Sequence, residues 1–372
     1  MRRILFSFSA AVAALPILIA GAALPENDAV VKGSAYIYST LAVDGSYGST
    51  SPGQNMDAIL AIRAAGYDPS LDKLPGGVTP ADYLEANAAA VPNAAAAGKA
   101  ALAAEALGID PANVGGTDLI AKITGGYDLD TNRYGADDFS HALGIIGLAC
   151  TGTEVGPEPL TALRDTQIDG GGWGFGGTAD PDTTAIAVQA LIAAGVDPDD
   201  TDLMEALDYL KGAQSADGGW GYDGASNASS TGFAVQALLA LDEDPEASVY
   251  TKGGATPVSY LLSLQLPDGS FEGFDPLFAA NQVVPALAGR TFCNMSETPI
   301  TRVREQVTPT PITTVPVPPT VTQTVVPTTV VPAPPPTGTG TAAGTSRGLP
   351  LAMVAGAILL TAGGMSLALR RR

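Results

Sequence analysis

The chain has 372 residues, only two of them cysteines and one a histidine, and 38 acidic residues stand against 18 basic ones for a formal charge of −20. Several of the basic residues sit at the two ends, so the body between them is still more acidic. That balance excludes nucleic acid and disfavours anionic lipid as its partner. Cys150 and Cys293 could pair in an oxidising compartment, and nothing in the sequence shows whether they meet.

Arg2-Arg3, an apolar run from Ile4 to about Ala20 and the small residues Ala20-Gly-Ala22 read as an export signal over 1–22, which places the mature start near Ala23. The folded body is expected over 27–293, cut into six helix pairs. First members of the pairs begin near Ser34, Pro80, Thr117, Pro159, Asp202 and Thr256. Second members are expected over 55–65, 93–107, 138–150, 182–194, 229–241 and 278–288, and the best of them, Thr184 to Ala194, is apolar nearly all round. A helix of that kind is buried on both sides, so two concentric layers of helices follow.

The strongest evidence for this division is a repeat. Trp173 and Trp220, Thr184 and Thr231, and Gln189 and Gln236 all share one offset of 47 residues. Constant spacing of three features marks a structural repeat. The turns after the first members carry Asp-Gly and an aromatic: Asp44 to Gly48 with Tyr47, Asp169 to Phe175 with Trp173, Asp217 to Tyr222 with Trp220, and Asp268 to Phe271. Glycine permits the sharp reversal, and the ring fills the gap between hairpins. Gly66-Tyr-Asp-Pro69, Gly108-Ile-Asp-Pro111, Gly195-Val-Asp-Pro198 and Asp242-Glu-Asp-Pro245 are helix stops.

Beyond the body, residues 297–345 are dominated by Thr, Pro and Val without helical period and read as an extended stalk. Asn227-Ala-Ser229 and Asn294-Met-Ser296 fit the N-glycosylation pattern. Leu349 to Leu369 carries no charge and is long enough to cross a bilayer, and Arg370-Arg371-Arg372 follow as a cytoplasmic tail. The expected location is the cell surface, anchored in the membrane by this C-terminal helix with the body outside.

Asp-Gly-Gly-Trp-Gly beside an outer helix, six hairpins and the Ala-Val-Gln-Ala-Leu inner helix resemble the α/α toroid repeats of squalene cyclases and protein prenyltransferases. The likeness spans the body and is specific in its fourth to sixth hairpins. It implies an all-α, six-hairpin toroid. Class II terpene cyclases of this family carry Asp-x-Asp-Asp-Thr-Ala at the start of one inner helix, the middle carboxylic acid protonating an alkene. Asp180-Pro-Asp182-Thr-Thr-Ala185 lies at the matching place, so the resemblance implies Asp182 as acid beside Asp180; Thr183 departs from the pattern.

The residues also support a plainer role. Asp182 and Ser229, again 47 apart, are expected as helix N-caps, and aromatics are only 6% of the chain, few for sheltering a carbocation. Asp197-Pro-Asp-Asp200 repeats the acidic letters but follows an inner helix and reads as punctuation. His141 is expected as a packed residue, since nine positions of helix put Cys150 on the opposite face and leave no zinc set. Asp128, Asp130, Asn132, the Tyr134 carbonyl and Asp137 or Asp138 alternate oxygens as a calcium loop does, so calcium is the one cofactor the sequence brings forward. Three functions remain in view. The first is a non-catalytic module binding a small molecule, a glycan or a surface protein. The alternative is a terpene cyclase or prenyltransferase-like enzyme with Asp182 as general acid, and the second alternative is an architectural surface protein.

Overall fold

A computed structural model describes residues 28–49, 51–222 and 224–304. The expected signal over 1–22, most of the stalk, the span over 349–369 and the arginine tail lie outside the described residues. Among those described, no helix is long and apolar enough to cross a membrane.

Among the described residues, twelve α-helices alternate between two layers. The inner ones are α2 (Pro52–Ala64), α4 (Ala94–Ala106), α6 (Asp138–Cys150), α8 (Pro181–Ala193), α10 (Ala228–Ala240) and α12 (Pro276–Leu287). Each packs on the next, and α12 packs on α2, so the inner helices close a ring. The outer ones are α1 (Asp28–Ser39), α3 (Pro80–Asn87), α5 (Leu119–Gly125), α7 (Pro157–Arg164), α9 (Thr201–Ala213) and α11 (Pro257–Ser263). Inner boundaries fall within three residues of expectation, while α1 begins six residues ahead of Ser34.

Small side chains let the inner ring close. Ala97, Ala100, Ala101, Ala103 and Ala104 of α4 are fully buried. A Cβ on Gly147 of α6 would come within 2.3 Å of the Gly98 Cα of α4, so glycine is required where those backbones meet.

The aromatic turns join the two layers by repeated hydrogen bonds. Trp173 donates from its backbone to Thr184 Oγ1 at 2.9 Å and from its indole to the Leu163 carbonyl at 2.7 Å. Trp220 makes the same pair with Thr231 and Leu210 at 2.9 and 2.8 Å. Two short antiparallel ladders, β1 (Gly174–Phe175) with β2 (Thr178–Ala179) and β3 (Gly221–Tyr222) with β4 (Ala225–Ser226), extend these turns. In the first hairpin the Tyr47 backbone donates to Asn55 Oδ1 at 2.8 Å. Tyr47 and Phe271, like both tryptophans, are fully buried.

Neighbouring hairpins are tied by a glutamine that the sequence reading missed. Gln167 donates to Gly171 of its own turn at 2.7 Å and to Asp202 of the next outer helix at 2.8 Å. Gln214 does the same with Gly218 and Tyr250, at 2.9 and 2.7 Å. Gln265 reaches Gly269 at 3.3 Å and then Ala29 of the first hairpin at 2.9 Å, which closes the outer layer end to end. Gln167 and Gln214 are 47 apart, so the offset could have revealed them.

The folded unit runs past the expected boundary at Cys293. Residues 288–304 form a strap across the C-terminal end of the inner ring. Phe292 is buried and its amide donates to Gln189 Oε1 at 3.2 Å, Cys293 is disulfide-bonded to Cys150 at the end of α6, and Arg63 of α2 donates twice to the Ser296 carbonyl, at 3.1 and 3.0 Å. Arg304 stacks between the rings of Tyr38 and Tyr67 and pairs with the buried Asp72 at 3.2 Å. Residues 297–304, expected as the start of the stalk, therefore belong to the toroid.

Candidate functional site

The strap covers one end of the inner ring, so the other end, where the inner helices start, is the place to seek a site. Each inner helix begins at a residue in extended conformation: Ser51, Asn93, Asp137, Asp180, Asn227 and Asp275. All but Ser51 accept a backbone hydrogen bond on the side chain, filling orphan donors of the first turn.

Asp182 is not one of these caps, nor is Ser229. Asp180 holds the position, accepting from the Thr183 amide at 2.8 Å and the Thr183 hydroxyl at 2.9 Å. In the next hairpin the cap is Asn227, accepting from the Ser230 amide at 2.9 Å. The expected caps were thus two residues late. For α8 Pro181 is a physical reason, since the residue before proline is pushed out of the helical region and proline itself suits the first helical position; α10, with Ala228 in that place, caps at the same register through Asn227. Thr183, the departure from the cyclase motif, supports the cap.

Freed from that duty, Asp182 lies on the face of α8 opposite Thr184, the residue bonded to the Trp173 turn. It is only partly exposed, and its Oδ1 is enclosed without a hydrogen-bond partner. Burial pushes its carboxyl up to about 6; the nearby Asp180 charge adds to this, and hydrogen bonding from Ser230 and Tyr222 partly offsets it. The Tyr222 hydroxyl donates to Asp180 Oδ1 at 3.3 Å. Burial and the two carboxylates hold that phenol far above its ordinary value, so it stays a donor.

Aromatic residues gather at the same end of the ring, within its first two turns. Phe139 of α6 and Phe233 of α10 lie edge to face with centroids 6.0 Å apart, although α8 stands between their helices in the ring. They can meet only inside the bore. Phe278 of α12 adds a third ring 6.4 Å from Phe233. Phe139 stands two residues past its cap, the register of Asp182 on α8, while Phe278 stands three and Phe233 six past theirs. Three of the nine phenylalanines of the chain are spent here, which answers the low aromatic content.

Other sequence candidates fall elsewhere. Asp197 Oδ1 accepts from the Asp199 amide at 3.0 Å, and Asp200 caps α9 while pairing with Arg164, as punctuation should. The calcium loop is not assembled. Asp128 Oδ1 accepts from the amides of Asp130 and Thr131 at 2.8 and 3.3 Å, Asn132 accepts from the Tyr127 hydroxyl at 3.0 Å, Asp137 caps α6, and Asp138 is consumed by Arg133 and Thr166. Among the described residues no group of three or more His, Cys, Asp or Glu could hold a metal ion. His141 is buried between the Tyr134 amide at 3.0 Å and the Pro159 carbonyl at 2.9 Å, and burial lowers its pKa to about 4, so it is neutral and packed. Gln189 and Gln236 lie one helix apart in equivalent positions. The first accepts from Phe292, and the second donates to the Gln282 carbonyl at 3.3 Å.

Residues 153–280 match the family model of the squalene-hopene cyclase C-terminal domain. No curated protein matches the chain. Among solved structures it is similar to a variant of the type II terpene cyclase MstE from Scytonema in complex with its substrate geranylgeranyl dihydroxybenzoate, with a TM-score of 0.52 and 14% identity over 73% of this chain and 98% of that one. A second variant of that cyclase, in complex with its product merosterolic acid A, aligns with a TM-score of 0.50 and 15% identity over 71% and 96%. At such identity the likeness establishes fold alone. The chain has the α/α toroid of squalene cyclase and prenyltransferase-like proteins, and the family's sequence pattern lies in its fourth, fifth and sixth hairpins.

Proposed function

We propose that the protein is a type II terpene cyclase-like enzyme that takes an isoprenoid chain into the open end of its bore, with Asp182 as general acid. The observation that carries this reading is the release of Asp182 from capping: its carboxyl is raised to about 6 and stripped of a partner at Oδ1, at the end of the ring where Phe139, Phe233 and Phe278 meet. A carboxyl of that pKa keeps a protonated fraction near neutral pH, the form an acid catalyst must hold. Transfer of its proton to an alkene carbon leaves a cation on the neighbouring carbon. The faces of Phe139, Phe233 and Phe278 attract that charge while a second alkene closes the ring, and loss of a proton from the cyclic cation to the Asp182 carboxylate gives the neutral product and restores the acid. Asp180 positions the acid through the cap, and Tyr222 orders the pair from the next hairpin.

This reading replaces the binding module that composition alone favours, because both objections to catalysis, capping by Asp182 and shortage of aromatics, are removed by the arrangement of the mouth. Squalene and geranylgeranyl diphosphate, incubated with the purified protein and with Asp182→Asn, test it by mass spectrometry of the products. A cyclic product from wild type that the variant does not form is expected. No product from wild type, or equal product from both, overturns it. The basic start and the apolar, arginine-ended C-terminus support export and anchoring with the toroid outside. Protease added to intact cells should then remove the toroid, and its protection would refute that placement.

A further inference from the structure

A groove of about 520 Å³ opens between the turn before α6, at residues 131–133, and the outer helix α7, and none of its lining belongs to the Asp182 site. Small-molecule sites run to roughly 300–1,000 Å³. The gap exists because the glutamine that ties the later hairpins together has no counterpart here: residues 119–137 contain none. Arg133 crosses instead. It donates to the Ala162 carbonyl of α7 at 3.3 Å and pairs with Asp138, which also accepts from the Thr166 hydroxyl at 2.9 Å. These bonds spend the one cation among the lining residues.

The polar groups left over stand on both walls. On α7 the carboxylates of Glu158 and Asp165 form no hydrogen bond or ion pair with another described side chain, and on the turn the Thr131 hydroxyl is equally spare. Asn132 holds a left-handed backbone, φ 57°, and its Oδ1 accepts from the Tyr127 hydroxyl at 3.0 Å, which leaves its Nδ2 to donate. Tyr127 is half-buried beside it and offers an apolar ring with a polar tip. Seven residues of helix separate Glu158 from Asp165, so they share one face of α7 about 10.5 Å apart along its axis. No single metal ion or ammonium group can serve both. Two uncompensated carboxylates repel an anion, and acceptors strung along a groove that faces an amide donor and a hydroxyl match a chain of hydroxyl groups.

We infer that this groove binds a neutral oligosaccharide longer than one sugar ring, with separate hydroxyls donating to Glu158 and to Asp165 and a ring or hydroxyl oxygen accepting from the Asn132 amide. It is a second site, independent of the cyclase reading. Length is the source of discrimination: a single sugar reaches one carboxylate, whereas a chain reaches both and gains the second contact without a second loss of free motion.

Ligand-observed NMR titration of the full chain with maltotriose, cellotriose and mannotriose, and with glucose and mannose, tests this. At least one trisaccharide is expected to bind saturably, and at least about tenfold more tightly than its monosaccharide. Glu158→Ala and Asp165→Ala should each weaken that binding at least about fivefold. Both side chains are exposed, so the melting curves of the variants should match wild type. Asp182→Asn should leave the affinity unchanged, and a loss there would move the sugar to the other site and overturn the inference. Binding of none of the trisaccharides, equal affinity for the monosaccharide, full affinity in both alanine variants, or equal affinity for the anionic trigalacturonate overturns it as well.

Discussion

Asp182→Asn should make the protein more stable at neutral pH. The carboxyl stands at an ordinary value of 3.8 in the unfolded chain and is pushed up to about 6 in the toroid. Between those values the unfolded chain has released a proton that the folded chain retains, so stability falls as pH rises across that window and is flat above it. The displacement corresponds to a penalty of about 3 kcal/mol above pH 6, and none below the unfolded value. Asparagine carries no charge and escapes the penalty. Because the site is partly open, the realised gain is smaller, about 1–2 kcal/mol, or roughly 3–6 °C in melting temperature for a domain of this size. Thermal melts of wild type and variant between pH 4 and pH 8 read this directly. A gain that grows from pH 4 to pH 7 supports a desolvated carboxylate held against its stability for a purpose. A variant less stable than wild type at pH 7, or a difference independent of pH, refutes it.

Gln265→Ala removes two bonds, to Ala29 and Gly269, at the closure between last and first hairpins; a loss of about 1–3 kcal/mol in urea denaturation is expected, with faster amide exchange in α1. Trp173→Phe leaves the Leu163 carbonyl without its indole donor and opens space at a fully buried position, so the cost should reach about 2–4 kcal/mol, and a neutral result would show that the turn ring is not a fastener. Reduction of the disulfide frees a closure of 143 residues, worth about 5 kcal/mol by chain entropy. Limited proteolysis should then cut within 288–304 first. Chelator should leave the melting temperature unchanged, since the acids of the 128–138 loop are consumed by caps and by Arg133; a fall of more than about 2 °C would restore the calcium reading.

The sequence by itself determined the number of hairpins, their two layers and the place of the aromatic turns, because apolar periodicity and the 47-residue offset are local and repeated. It also carried Gln167 and Gln214 at that same offset, and they went unread because one residue type at one spacing looks like any polar end of a helix. Only the tertiary structure decided which aspartate caps α8. Both Asp180 and Asp182 suit the role chemically, and the choice falls to Pro181 and the extended backbone before it. It likewise decided that Phe233 meets both Phe139 and Phe278, from three hairpins, and that Cys293 returns to Cys150. Ring closure brings residues far apart in the chain to one axis, and no local pattern records which side chains of different helices will face each other there.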